Sequence, residues 1–416
     1  MISKTLFLIT KTYPFGKGEE YVTNELNVLC KHFHKIIIYP NDYYGEDMAH
    51  NKNFPENIEV LNFNKTLSLK SSNTIYDYYY LAKQSVIEFF KTDDKSNYLK
   101  NFRWNLTNFW TQYQISKHLS GFIEKNNYTS NCIFYSYWFH KSAILLSILK
   151  DKKHIRKFVS RAHSVDLYHQ DWGIINDQIK VPPFKMFKLK QATAIFPVSQ
   201  HGTDYLKNKY PTFSKKIKTQ YLGVVNNQAA SNSKTDNDIF HIVTCSGIDL
   251  NKRIHKLAEA LVQIKHQVLW THFGNGNLLH KLEETIKQLP KNIIVHLKGN
   301  TPNHEIQAFY LNENINLFVN LSIVEGLPVS IMEAMSHGIP ILATGVYGTP
   351  EAVINKKTGI LIGVDFDLDE LVKNMNYCIE NKDLLNEMGT NSKSLYLEKF
   401  NAENNYSQFA NNLASL

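Results

Sequence analysis

The chain has 416 residues, 43% hydrophobic, 12% aromatic and 20% charged, which excludes a disordered polymer and a small disulfide-stapled module. At roughly 100–200 residues per domain there is room for two or three separate cores. Four scattered cysteines (Cys30, Cys132, Cys245 and Cys378) form no CxxC and no Cys/His cluster, so neither a zinc site nor a disulfide framework is indicated and a cytoplasmic compartment is expected. The net charge of +8 is uneven: 31 basic face 18 acidic residues up to Val225, and 15 face 20 beyond it. Clusters such as Lys185, Lys188 and Lys190, or Lys215, Lys216 and Lys218, suit an anionic membrane surface or a phosphate-bearing substrate, although an ordinary Lys-rich surface explains them as well. No nucleic-acid-binding motif accompanies the charge.

Short β-type runs alternate with amphipathic helical stretches, the pattern of βα units that build parallel sheets. The opening MISKTLFLITKTYP has too short an apolar run for a signal peptide. In the first half the expected strands are Thr5 to Thr10, Lys35 to Tyr39, Asn131 to Tyr137, Phe158 to Arg161 and Ala194 to Val198. The apolar stretch Cys132 to Leu149 holds His140 and Lys141 at its middle, so it reads as a strand entering a helix rather than a membrane span. Between them, Asn73 to Trp110 is helical in pattern and rich in aromatics: Tyr78, Tyr79, Tyr80, Phe89, Phe90, Trp104 and Trp110. Such a stripe is expected to be core, the alternative being contact with a membrane interface. Residues 226–239 lack large apolar side chains until Ile239 and are the expected linker between an N-terminal domain (1–225) and a C-terminal one (240–390). The second half repeats the pattern, with strands expected at Phe240 to Ser246, Gln267 to Phe273, Ile293 to Lys298, Ile315 to Asn320 and Ile339 to Ala343.

The most informative segment is NLSIVEGLPVSIMEAMSHGIPILATGVYGTPE, residues 320–351. A strand ends near Leu321, a loop carries Glu325 and Gly326, Pro328 stands at a helix start, and Gly338 ends that helix before the next strand. The loop then lies at the carboxyl end of the sheet, where α/β folds bind ligands and where a helix N-terminus offers N–H groups to an anion. Glu325 and Glu333 are placed to reach hydroxyls on either side of a bound phosphate, as in a nucleotide sugar.

This segment, with its two glutamates, EAMSHGIP and GTPE, resembles the donor site of the retaining GT-B glycosyltransferases of family 4. The resemblance implies an α/β chain of two Rossmann-like domains facing across a cleft, with the tail 391–416 returning to the N-terminal domain. In such enzymes the second domain holds a nucleotide-diphosphate sugar and the first the acceptor. Carried over by position, Glu325, Gly326 and Leu327 would hold the transferred sugar and Glu333 the ribose. VTCSGIDLNKRIHKLAEAL, residues 243–261, resembles the phosphate-binding unit: Lys252 matches the family lysine, while the usual arginine aligns with Gly247, leaving Arg253 as its possible replacement. THFGNG resembles the family's G-x-G loop and points to Gly274.

In the first half, YPFGKGEEY (13–21) resembles the family's glycine loop, so Gly16 and Gly18 would allow close approach of donor or acceptor, with Glu19 or Glu20 orienting the acceptor. SRAHSVDLY (160–168) resembles the segment whose histidine meets the sugar at the reaction centre, a role carried to His163, with Arg161 and Asp166 as acceptor-side candidates. FPVSQHGTDYL resembles the stretch before the domain crossover, with Ser199 facing the cleft. Asp365-Phe366-Asp367 has the form of a metal-binding DxD but reads as a helix start, and neither metal nor other cofactor is expected.

The resemblance thus implies metal-independent transfer, with retention, from a UDP- or GDP-sugar to a glycan or polyprenyl-diphosphate-linked acceptor in cell-surface polysaccharide synthesis, in the cytoplasm or on the inner membrane face. The rival readings are a nucleotide-sugar epimerase on the same fold and a non-catalytic nucleotide-sugar binding protein.

Overall fold

A computed structural model of the chain describes residues 2–16, 18–19, 21–42, 54–61, 73–168, 183–226 and 239–416. Glu20 and nearly all of the expected linker, 227–238, lie outside the described residues. The chain divides into a first unit, Met1–Gln220 with Tyr406–Leu416, and a second, Tyr221–Asn405.

The first unit is built on β1 (Ile2–Thr10), β2 (Phe33–Pro40), β3 (Ile58–Val60), β4 (Cys132–Ser136), β5 (Phe158–Ala162) and β6 (Ala194–Pro197). They form one sheet in the order β3-β2-β1-β4-β5-β6, every neighbouring pair parallel. Helix α1 (Val22–His32) follows β1, and a helical layer of α2 (Ile75–Lys91), α3 (Lys95–Lys100) and α4 (Phe102–Lys125) separates β3 from β4. The second unit repeats the architecture with β7 (Phe240–Cys245), β8 (Val268–Phe273), β9 (Ile293–Gly299), β10 (Leu317–Asn320), β11 (Ile341–Thr344) and β12 (Gly359–Ile362), in the order β12-β11-β10-β7-β8-β9, again all parallel. These are two copies of the doubly wound strand order, whose direction reverses between β1 and β4 in one unit and between β7 and β10 in the other.

The strands bury both faces, which is why they read as apolar runs rather than alternations. Leu6, Leu8, Ile36, Ile38, Tyr135 and Phe196 form the first core together with Phe409 and Leu413 of the tail. Phe240, Ile242, Trp270, Leu317, Leu342 and Leu371 belong to the second. The expected single tail helix is two, Lys382–Lys399 and Ala402–Ala414, broken at Phe400 and Asn401, and only Tyr406–Leu416 joins the first unit. Asp367 caps the helix Leu368–Glu380 through a 2.8 Å bond from the Glu370 N–H, so the DxD is a helix start as expected.

Two expectations about surface residues fail. Lys185 and Lys188 are buried, Lys188 donating to the Phe139 carbonyl at 2.7 Å, so they are not a surface patch. The aromatic segment divides: Tyr80 and Trp110 pack on a small core around Phe109, Ile144 and Phe184, whereas Tyr78, Tyr79 and Phe90 are exposed.

Candidate functional site

In the second unit the loops after β7 and β10 leave the sheet at the strand-order reversal, and three consecutive residues of the first loop grip the second. The buried Asn251 accepts from the Val324 N–H at 2.9 Å and donates to the Val324 carbonyl at 3.2 Å, while its own carbonyl accepts from the Ile323 N–H at 2.9 Å. Lys252 Nζ donates to Glu325 Oε1 at 2.5 Å. Arg253 sends Nε to the Leu321 carbonyl at 2.6 Å and Nη1 to the Val364 carbonyl at 2.7 Å, and its guanidinium lies over the Phe366 ring. Two of its donors are therefore committed to the backbone; Nη2 is buried and has no partner among the described residues. Arg253 is in the left-handed backbone region (φ 50°) and precedes the helix Ile254–Leu261.

The helix Val329–Ser336 follows the Glu325 loop and carries Glu333 on its buried side. Asn303, at the start of the helix Asn303–Asn312, donates to Glu333 Oε1 at 2.7 Å. Burial outweighs that bond and pushes the Glu333 carboxyl up to about 7. The same burial, with the Glu333 charge nearby, pushes the Cys245 thiol at the end of β7 up to about 12. Gly326 and Leu327 are buried, so their backbone is what they can present to a ligand. Gly338 ends the helix with φ 72°, as its sequence position suggests.

Gly274 has φ 132°, and a Cβ there would lie 1.9 Å from the Ser246 carbonyl oxygen. A Cβ on Gly276 would lie 2.2 Å from the Ile248 carbonyl oxygen, and the Ile248 N–H donates to the Asn275 carbonyl at 3.1 Å. The glycines of THFGNG thus let the β8 loop close on the β7 loop, fixing it from the side opposite Glu325.

The first unit collects a second group at the carboxyl ends of β1, β4 and β5. Glu19 accepts from the N–H groups of Lys11, Thr12 and Tyr13 at 3.0, 2.6 and 2.8 Å, and from Trp138 Nε1 at 2.5 Å. Trp138 lies 4.4 Å, ring centre to ring centre, from His163, whose Nε2 sits 3.1 Å from the Tyr137 carbonyl. Burial, helped by the Arg161 charge, lowers the His163 imidazole to about 3, so it is neutral with Nε2 the donor to that carbonyl. Glu19 and His163 are thereby brought together through Trp138, which sequence reasoning missed. Asn251 and Asn303 were missed likewise; the only signal for Asn251 is its place next to Lys252.

The other first-half candidates are engaged within the first unit. Arg161 is fully buried, with Nε on Glu25 at 2.9 Å and on the Tyr135 hydroxyl at 2.8 Å, Nη1 on the Gln220 carbonyl, and the guanidinium 4.3 Å from the Phe409 ring centre. The expectation that it meets an acceptor is corrected: it ties β5, α1 and the tail together inside the core. Asp166 is also fully buried, accepting from the N–H groups of His163 (3.0 Å) and Phe139 (3.1 Å), so it orients the His163 loop instead of an acceptor. Glu19 has spent its oxygens on its own loop and indole. Ser199 is the buried N-cap of the helix Gln200–Lys209. The Gly16 backbone is required by Thr12, whose Oγ1 would lie 2.3 Å from a Cβ, a constraint internal to the loop.

Residues 226–395 match the family model described as glycosyl transferases group 1. Over 128 residues the chain is 30% identical to the putative colanic acid biosynthesis glycosyltransferase WcaL of Escherichia coli K12, covering 29% of this chain and 32% of that protein. The chain thus spans about a third of the length of the curated relatives it matches. Among solved structures, the sucrose-phosphate synthase of Thermosynechococcus elongatus superposes with a TM-score of 0.72 at 16% identity, covering 99% of this chain and 98% of that one. The Anabaena protein HepE, solved in complex with UDP and glucose, gives 0.65 at 16% identity, covering 99% and 100%. The two six-stranded parallel sheets are those of the GT-B fold.

Proposed function

We propose that the chain, whose residues 226–395 match the glycosyl transferases group 1 model, is a retaining glycosyltransferase that moves a sugar from a nucleotide diphosphate onto a cell-surface glycan or lipid-linked glycan. The observation that carries the reading is the Lys252–Glu325 pair at the strand-order reversal of the second unit, with Glu333 behind it. A sugar's hydroxyls and a diphosphate are the two chemistries this pair can divide between them: the carboxylate accepts from hydroxyls, the ammonium offsets phosphate charge. Glu333, held by Asn303, has one oxygen left for a ribose hydroxyl.

In the proposed reaction the bond between the anomeric carbon and the diphosphate oxygen breaks, with its electron pair leaving on the diphosphate. Lys252 and the N–H groups at the start of Val329–Ser336 stabilise that charge. The acceptor oxygen then bonds to the anomeric carbon on the face just vacated, and its proton goes to the departing phosphate oxygen. Retention follows from attack and departure on one face. His163, neutral and with Nε2 bonded to the Tyr137 carbonyl, has no acidic proton to give at neutral pH and is assigned no general-acid role in this step. UDP-sugars come first in a donor panel, since a structural neighbour is solved with UDP and glucose.

The test is thermal stabilisation by UDP-, GDP-, ADP- and CMP-sugars, followed by NMR of the product's anomeric configuration. A donor at 100 times its Kd adds about 2.7 kcal/mol of stability. One nucleotide class is expected to stabilise the protein and to lose that effect in Lys252→Ala. Failure of every nucleotide sugar, with and without a polyprenyl-diphosphate glycan, overturns the reading, and an inverted product overturns its stereochemistry.

A further inference from the structure

Helix α2 packs Tyr80 and Leu81 on the small core, yet most of its other apolar residues point to solvent. Its four buried residues are all polar (Asp77, Gln84, Ser85 and Glu88), and each is bonded within the first unit. Asp77 takes Lys117 at 2.6 Å and the Tyr113 hydroxyl at 2.5 Å, and Glu88 takes the N–H groups of Met186 and Phe187, both at 2.9 Å. Gln84 reaches Asp151, and the Ser85 hydroxyl bonds the Leu81 carbonyl at 2.8 Å. The outward stripe, spaced as one helical face, is apolar: Ile75 is 79% exposed, Tyr79 66%, Val86 55% and Phe90 70%. Leu99 on α3 and Phe102 on α4 extend it, and a groove of about 400 Å³ with almost entirely apolar walls runs between the three helices past Leu81, Phe89 and Leu106.

A water-facing helix of a globular domain has the opposite pattern, so this face is built to lose its contact with water. Among the described residues nothing covers it. Charge decides what does. Lys83, Lys91, Lys95, Lys100 and Arg103 stand exposed on the same three helices. The acids there are otherwise engaged: Asp77 and Glu88 are buried, Asp93 pairs with Lys209 at 2.9 Å, Asp94 caps α3, and Glu124, near the far end of α4, lies 2.8 Å from His154 Nδ1. A second copy of the face would bring cations against cations. An anionic bilayer surface offers them phosphates and the aromatic rings an interfacial hydrocarbon layer, and long basic side chains reach headgroups from an embedded helix. No described helix is long and apolar enough to cross a membrane, so the contact is one of lying on it.

We propose that the α2–α4 face of the first unit seats the protein on an anionic lipid bilayer, with Ile75, Tyr79, Val86 and Phe90 entering the interface and the surrounding lysines holding lipid phosphates. The proposal is independent of the donor chemistry of the second unit, and nucleotide-sugar stabilisation measured on the same samples separates its failure from failure of that reading.

The experiment is co-sedimentation of the full chain with phosphatidylcholine vesicles, with and without phosphatidylglycerol, at low salt and at about 0.5 M salt, where charge attraction is strongly screened. Wild type is expected to pellet with the anionic vesicles at low salt. Val86→Ser/Phe90→Ser should lose on the order of tenfold in binding, and Lys91→Glu/Lys95→Glu should lose its dependence on salt and lipid charge. The unaltered melting temperature of these exposed-site variants excludes misfolding as the cause. Phe90→Trp gives a local readout, its emission shifting to the blue on anionic vesicles. Wild type remaining in the supernatant overturns the proposal, as does binding that ignores both lipid charge and salt. A Phe90-dependent dimer in sedimentation without lipid overturns it in favour of an interface between copies.

Discussion

Lys252 and Glu325, 73 positions apart in sequence, form a 2.5 Å ion pair between the loops that leave β7 and β10. Both side chains retain some exposure (24% for Lys252 and 10% for Glu325), so the pair is open to solvent and to a ligand rather than sealed in the core. A donor that separates the pair gives both charges new partners, the ammonium a phosphate and the carboxylate sugar hydroxyls. Lys252→Ala is expected to lower donor affinity roughly ten- to a hundredfold, about 1.4–2.8 kcal/mol. Glu325→Gln should lower kcat with less effect on nucleotide affinity, and neither should shift the melting temperature of the free protein by more than a few degrees. Calorimetric titration with the stabilising nucleotide sugar and steady-state kinetics check this; an unchanged donor affinity in Lys252→Ala removes the lysine from the phosphate site.

Asn251 sets where Glu325 stands. Its amide makes a two-way bond with the Val324 backbone, one residue before the glutamate, and is nearly sealed from water. Asn251→Ala leaves a backbone N–H and carbonyl without their partner and should cost about 1–3 kcal/mol of stability. Because the loop it holds carries Glu325, kcat should fall more than KM rises. Asn251→Asp keeps the acceptor for the Val324 N–H and should recover more activity than Asn251→Ala; equal activity of the two variants means the clamp does not position the glutamate.

Much of this architecture is legible from the chain alone, and particular residues show why the rest is not. Ten strands were readable because both-face burial makes them apolar runs. β3 is only Ile58–Val60 at a sheet edge, and β12 is a four-residue run between glycines, so both look like loop. Glu325 and Glu333 were readable because their spacing straddles a strand-loop-helix turn with its own stop and start signals. Arg161 was misjudged because a charged residue at a strand end reads as surface. Its burial depends on Glu25, 136 positions earlier, and on Phe409 of the tail, pairings that no local pattern carries. The exposed face of α2 was misjudged for the converse reason: a periodicity of 3.6 reports that one face is apolar, not which way the helix is turned.

Glu333 gives the site a dependence on pH. Its folded carboxyl titrates near 7, above the ordinary 4.5, because burial opposes the charged form. The sign follows from linkage: between pH 4.5 and 7 the unfolded chain loses the proton that the folded chain keeps, so stability falls as pH rises through that window and stays lower above it. Glu333→Gln, which keeps an oxygen for Asn303, should leave stability unchanged near pH 4 and raise the unfolding free energy, and with it the melting temperature, at pH 8 by about 3 kcal/mol. A ribose hydroxyl is held better by the carboxylate than by the acid, so affinity for a nucleotide sugar, whose diphosphate is ionised throughout, should rise from pH 6 to 8 in wild type and stay flat in Glu333→Gln. Titrations at pH 6, 7 and 8 decide it; a parallel rise in the variant assigns the pH dependence to another group.

The buried Arg161–Glu25 pair predicts a stability loss that leaves the donor site alone. Burial pushes the Glu25 carboxyl up while the Arg161 charge and the Tyr135 hydroxyl pull it down; Arg161 itself is held protonated. Removing one member strands the other charge in the core, at about 3–5 kcal/mol. Glu25→Ala and Arg161→Ala should each lower the denaturation midpoint by that amount. Glu25→Gln retains a hydrogen-bonding side chain and should lose less. Because the pair lies wholly in the first unit, the folded fraction of each variant should bind nucleotide sugar with wild-type affinity. An acceptor-binding role would instead leave stability nearly intact and raise the KM for acceptor. Urea denaturation alongside acceptor kinetics therefore distinguishes a residue that ties β5 to α1 from one that touches substrate, and a small stability change with a large acceptor effect would restore Arg161 to the site.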